Sequence, residues 1–338
     1  MDNKGSVMDI ETRTIGKTDI SVTKLGFGGA PLGAVGDYLN PESVNQILDT
    51  AWDGGIRYFD TAPLYGHGLS EKRLGGYLSN KTRDDFVLSS KVGRLLVPEK
   101  EGERFAGMRD HEPVAIQYDF SASGVRRSLE DSLARLGLDR VDILLCHDID
   151  TWTHHEQQPE IYRAAAEGAL PEMHRMREEG LVRAIGLGVN ESAVCTRVLK
   201  EFDPNCFLLA GRFTLLEQEP LDEMLPLCLD RNVSVIIGGP YNSGLLTNVE
   251  RRRATYDYKP VPDDLWDRAQ EIKSVCQAHS TDIRAAALQY PLQHQAVAAV
   301  IPGVISVEET KENLELVNRE IPESLWIDLA ENGLLREW

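Results

Sequence analysis

The chain is predicted to fold as an α/β, (β/α)8 TIM barrel with an N-terminal β-hairpin and an extra C-terminal helix. Three observations carry this. About eight strand-like apolar runs, near Leu25, Tyr58, Phe86, Val141, Ala184, Phe207, Val233 and Val297, alternate with helical patterns. Several runs are almost continuous in Val, Ile and Leu, as strands buried on both faces should be. The alternative is an open doubly wound sheet. No helix-opening G-x-G-x-x-G follows the first strand with an acid ~20 residues later, which lowers that option.

The elements follow in order. Residues 1–11 are expected to be a flexible tail, and 12–338 a single barrel domain. Thr12 to Leu25 alternates around the turn residues Gly16 to Asp19, a hairpin pattern. Leu25 to Gly29 reads as a strand opening into a glycine-rich loop. Asn40 caps a helix that starts at Pro41. Arg57 to Asp60 is a strand; Pro63 then forbids a ladder, so Tyr65 rides on a loop. Ser70 is expected to cap the helix to Ser79. Phe86 to Ser90 delivers Lys91, and a polar loop leads to a helix over Ser121 to Gly137. Val141 to Cys146 delivers His147, a helix spans about Ile161 to Glu179, and Ala184 to Val189 delivers Asn190. Further helix–strand pairs follow to Val297–Ile301, then helices at Val307–Val317 and Pro322–Leu335.

Composition bounds the function. Of 338 residues, 36 are basic and 54 acidic, a net charge of −18 that argues against nucleic acid or an anionic membrane as partner. No apolar run approaches the ~20 residues of a membrane span. The five cysteines show no C-x-x-C pairing and the N-terminus is unlike a secretory signal; a cytoplasmic protein is expected.

Asp60, Lys91 and His147 stand at strand ends and Tyr65 on the next loop, where a barrel places its chemistry. Each has an ordinary structural explanation alone; together they form a proton-transfer set. A phenol of pKa ~10 is a poor base at neutral pH, and a neighbouring ammonium lowers that value. Lys91 is that candidate, Asp60 would hold it charged, and His147 could bond a substrate oxygen. His147, Asp148, Asp150, His154 and His155 invite a metal reading, but they fall on a strand end and the loop after it, without the fixed His i, i+4 pair or C-x-x-C of a metal motif, so no metal is expected. Trp152 and His154, on the loop after His147, are candidates to line a substrate pocket or to be plain surface.

FDTAPLYGHGLSEKRLG, LSSKVG and LLCH together resemble the signatures of the aldo-keto reductase superfamily, over about residues 12–320. The resemblance implies a nicotinamide dinucleotide bound without a Rossmann fold and a catalytic tetrad of Asp60, Tyr65, Lys91 and His147. It implies further cofactor contacts at Asn190 and Phe213, and in the pyrophosphate loop at Gly239, Pro240, Tyr241, Asn242 and Gly244. Ala210 replaces a family Gln and Gly238 a stacking aromatic. Relatives that use NADP place a Lys at the position of Gly303 and an Arg at that of Glu309; here neither cation exists, and Glu309 can accept from a free ribose hydroxyl. Glu312 and Asn313 match adenine contacts. NAD is therefore the expected cofactor.

SSKVGRLLVP and the segment from Tyr118 to Asp150 resemble the branch holding the L-fucose (D-threo-aldose) 1-dehydrogenases and pyridoxal 4-dehydrogenase. That implies oxidation of a cyclic hemiacetal to a lactone, with Tyr65 as acid/base. Alternatives are a general aldehyde or ketone reductase, or a non-catalytic nicotinamide-binding regulatory subunit. A monomer or simple homo-oligomer is expected.

Overall fold

A computed structural model describes residues 10–33, 39–99, 114–247, 249–257 and 259–338. Eight parallel strands follow one another around the sheet: β1 Phe27–Gly28, β2 Tyr58–Asp60, β3 Val87–Val92, β4 Ile143–His147, β5 Ala184–Val189, β6 Cys206–Ala210, β7 Ser234–Gly238 and β8 Val297–Ile301. Parallel bridges Leu25–Val300 and Gly28–Gly303 join the two edges, so the sheet closes into the expected barrel. Helices lie between successive strands. Pro41–Asp53 starts on the Asn40 cap, whose side chain accepts from Ser43 N, and Ala122–Leu136 runs from its Ser121 cap to Gly137 in the left-handed region.

The barrel's floor comes from the N-terminal hairpin, Thr12–Thr14 paired antiparallel with Ser21–Thr23. Ile15, Ile20 and Val22 enter the apolar interior beside Tyr58, Ile143, Leu145, Leu208 and Ile236. Burying each contributes about 1.5–3 kcal/mol. Of the expected tail, residues 1–9 lie outside the described residues; Ile10 is buried and Glu11 O accepts from Lys24 N.

Four local expectations are corrected. Ser70 is not a cap: the helix Leu69–Leu78 starts after Gly68, which is left-handed, and Ser70 Oγ instead donates to Gly29 O at 2.7 Å. The polar loop after β3 contains an antiparallel hairpin, Arg94–Pro98 with Val114–Tyr118. A short helix, Thr151–His154, follows β4 on the Asp150 cap. The next long helix starts earlier than its apolar period suggests, at Gln158, and widens to a π turn over Ala165–Ala169. There Gly168 meets the Phe120 carbonyl so closely that a Cβ would lie 2.4 Å from it.

Candidate active site

The strand register brings the four expected residues together. Asp60 ends β2, Lys91 lies one residue from the end of β3 and His147 ends β4, all at the C-terminal mouth. Lys91 Nζ donates to Asp60 Oδ2 at 2.6 Å, to Thr61 O at 3.0 Å and to Tyr65 Oη at 3.0 Å. Asp60 Oδ1 accepts from Ser89 Oγ at 2.7 Å, which also meets Tyr58 Oη at 3.0 Å. Gly188 of β5 makes room for the lysine: a Cβ there would lie 3.1 Å from Lys91 Cε. The His147 ring stands perpendicular to Tyr65, centroids 6.2 Å apart.

Burial governs the protonation of this set. It opposes the Lys91 charge, yet Asp60 and Tyr65 outweigh it and hold the ammonium up at about 12. Burial also pushes the Tyr65 phenol up to about 12, with Lys91 opposing. The lowered value expected from the ammonium alone is thus reversed by desolvation. Burial, then Arg94 and Lys91, hold His147 well below its ordinary value, so its ring is neutral.

Around His147 stands a second set. Arg94 pairs with Asp148 Oδ2, and Asn190 Nδ2 donates to Asp148 Oδ1 at 3.0 Å. Asn190 N donates to Asp150 Oδ2 at 2.6 Å. His154 Nε2 bonds Asp148 O at 2.7 Å, and its ring packs on Tyr118 at 4.8 Å and Phe120 at 6.3 Å. Trp152 sits at the rim, 41% exposed.

From Asn190 a groove of about 710 Å³ runs across the mouth, past Gly239 to Gly244, to Gly303, Glu309, Glu312 and Asn313. Gly239, Asn242, Ser243 and Gly244 all have positive φ, 58°, 47°, 55° and 90°. Backbone N–H groups in such turns form anion cradles, which suits a pyrophosphate. Asn242 Oδ1 is buried there with no partner among the described residues, an acceptor for a ligand hydrogen. Tyr241 Oη donates to Asn313 Oδ1 at 2.6 Å. Glu309 Oε2 accepts from Ile305 N at 2.8 Å while Ser306 Oγ accepts from Glu309 N, a reciprocal cap of the helix Val307–Leu316. The shape and polar lining fit a dinucleotide.

Comparison with known proteins gives the family. The Aldo/keto reductase family model matches residues 24–331. The chain belongs to this family. It is 40% identical to a D-threo-aldose 1-dehydrogenase from a Pseudomonas species, over 94% of this chain and 95% of that one. It is 35% identical to pyridoxal 4-dehydrogenase from Microbacterium luteolum, over 96% and 98%. The aldo-keto reductase AKR11C1 of Bacillus halodurans, in its holo form, shares the fold with a TM-score of 0.75 at 23% identity, covering 97% of each chain. The chain is an oxidoreductase of the aldo/keto reductase type.

In this aldo/keto reductase, Phe213 is corrected. Its ring is fully buried and packs against Tyr290 at 5.4 Å, His294 at 5.8 Å and Trp338 at 5.9 Å, away from the groove, where Ala210 and Gly211 stand instead. Phe213→Ala is accordingly expected to cost about 3–5 kcal/mol in denaturant unfolding and to leave nicotinamide dinucleotide affinity within about threefold. Among the described residues no three His, Cys, Asp or Glu side chains gather around a point that could hold a metal; Asp148 and Asp150 are instead held by Arg94 and Asn190. Three groups escaped the sequence reading. Arg94 and Tyr118 lie on the unexpected hairpin. Arg284 lines the far end of the groove, paired with Asp282 at 2.8 Å and Glu312 at 2.7 Å, and on sequence it reads as an ordinary first-turn helix residue. Among the described residues no helix is long and apolar enough to cross a membrane.

Proposed function

We propose that this aldo/keto reductase is an NAD-dependent dehydrogenase that oxidises a cyclic hemiacetal, an aldose of the L-fucose (D-threo) type or pyridoxal, to a lactone. One observation carries the reading: the Tyr65 hydroxyl lies 3.0 Å from a buried ammonium that a carboxylate fixes at 2.6 Å. When bound, NAD supplies the hydride acceptor at nicotinamide C4. The protein does the rest. Tyr65, as the phenolate that the Lys91 ammonium stabilises, takes the proton of the hemiacetal hydroxyl through Oη and becomes the neutral phenol as the hydride departs. His147, neutral, orients that hydroxyl. Asn190 gives its amide hydrogens to Asp148 and Asp150 and presents its oxygen to the carboxamide. Names of the similar proteins, a D-threo-aldose 1-dehydrogenase and a pyridoxal 4-dehydrogenase, support this substrate class. The five cysteines, all buried and unpaired, support a reducing compartment, the cytoplasm.

NAD is preferred to NADP on charge. At the end of the groove the carboxylates Glu309 and Glu312 stand with one lining guanidinium among the described residues, Arg284, already paired with Asp282 and Glu312. A 2′-phosphate, up to two further negative charges, meets an excess of carboxylate; a 2′-hydroxyl can donate to one. Glu309→Gln keeps the acceptor that caps the helix and removes the charge. It is expected to narrow the ratio of kcat/KM for NAD over NADP about tenfold, roughly 1.4 kcal/mol, with thermal stability unchanged. An unmoved ratio would remove Glu309 from the argument.

The test is NADH absorbance with purified protein, L-fucose, D-arabinose, L-galactose and pyridoxal, each with NAD and with NADP. Turnover of at least one hemiacetal with NAD is expected. Reduction of simple aldehydes with NADPH alone, or silence throughout, overturns the reading.

A further inference from the structure

We propose that Arg94 and Asp148 form a donor–acceptor pair that reads the hydroxyl beside the hemiacetal carbon of an aldose. This rests on the hemiacetal reading above and narrows it to sugars bearing a free 2-hydroxyl.

Position is the first argument. Asp148 directly follows His147, and its Oδ2, the oxygen that Arg94 grips, lies 3.4 Å from His147 Nε2. Its other oxygen holds Asn190. The pair therefore sits between the residue proposed to orient the reacting hydroxyl and the one proposed to hold the carboxamide. Gly93, at φ 102°, turns β3 inward to place Arg94; a Cβ there would lie 2.3 Å from the Phe120 ring.

Cost is the second. Both side chains are nine-tenths buried or more. A buried ion pair gains little over apolar groups of equal volume. Asp148 is also held at φ 48°, a region that strains residues other than glycine, and strain of this kind gathers at functional sites. Arg94 Nε and His147 Nδ1 are both buried without a partner among the described residues. These costs coincide at one spot beside His147, and folding alone has no use for them.

Chemistry is the third. A sugar hydroxyl both gives and takes a hydrogen bond, so a carboxylate next to a guanidinium fork matches it on both counts. Tyr118, 42% exposed, lies 5.0 Å over the Arg94 guanidinium, with Phe120 stacked beside it at 6.2 Å. That ring offers a flat apolar face for the C–H side of a pyranose. Pyridoxal is planar and has no hydroxyl on the atom next to its hemiacetal carbon.

The experiment uses the full chain, wild type and the variants Asp148→Asn, Arg94→Met and Arg94→Lys. It measures kcat/KM with NAD for L-fucose and for 2-deoxy-L-fucose, and NAD affinity by tryptophan fluorescence. The wild type should prefer L-fucose by tenfold or more. Asp148→Asn and Arg94→Met should lower kcat/KM for L-fucose about a hundredfold, and for the deoxy sugar tenfold or less, so that the preference vanishes. Arg94→Lys, which keeps the charge and loses the fork, should fall between and decides alone should the others fail to bind NAD. Equal losses on both sugars would mean that the pair merely holds His147 in place and would overturn the proposal. So would a wild type indifferent to the 2-hydroxyl, or variants that keep the preference. A wild type that oxidises pyridoxal but no aldose overturns this inference and leaves the hemiacetal reading standing; one that oxidises no hemiacetal overturns both.

Discussion

Tyr65→Phe is expected to lower kcat for hemiacetal oxidation about 10²–10⁴-fold and to leave NAD binding intact, the range a positioned acid–base group supplies. The substitution removes one oxygen. That oxygen is 3.0 Å from Lys91, on a ring that stands perpendicular to the neutral His147 imidazole, so the substitution removes the hydroxyl that the lysine holds. With the phenol held up at about 12, mainly by burial, the wild-type oxidation rate should climb as pH rises from about 7 to 10, in step with the phenolate fraction. In the variant the residual rate should be flat. Steady-state kinetics over that range, with NAD affinity measured separately, checks both; retained turnover in the variant would end the role of Tyr65.

Asp60→Asn should act on stability as well as on rate. Lys91 is 1% exposed, and among the described residues its one carboxylate partner is Asp60 at 2.6 Å. Removing one member of a buried pair strands the other and costs about 3–5 kcal/mol. The pH dependence discriminates further. In the wild type the lysine's folded value, about 12, lies above its ordinary 10.5. Its contribution is therefore complete below the ordinary value and is lost only as pH rises through about 12, so this group leaves stability flat between roughly pH 6 and 9. In the variant, burial without the carboxylate should depress the lysine below its ordinary value. The folded state then binds fewer protons than the unfolded one, and stability should rise with pH. Urea unfolding at several pH values reads the slope; a flat variant would mean that the ammonium has found another partner.

The residues legible in the sequence were those whose place follows from the strand pattern. Asp60, Lys91, His147 and Asn190 each end or closely follow an apolar run, and a closed parallel barrel sends such positions to one mouth. What pattern cannot carry is what lies opposite a residue. Phe213 looks the same in sequence whether it faces a ligand or a core; Trp338, from the far end of the chain, and Tyr290 decide it. Arg94 and Tyr118 belong to strands paired across a long insertion, and neither strand shows a clean alternation of apolar and polar residues. The Tyr65 phenol was misjudged for a related reason: the charge beside it is readable from the motif, and the depth of its burial is not.

The hairpin that floors the barrel fixes which end of the molecule can be handled. Its turn residues Lys17 and Asp19 are exposed, and Gly16 packs against the carbonyls of Asn205 and Asn232, which precede β6 and β7 at the end opposite the mouth. A surface linkage made through the hairpin turn would hold the molecule upright with its opening toward the solution. A tether at that turn therefore leaves the opening unobstructed, and an immobilised preparation made this way should keep its activity.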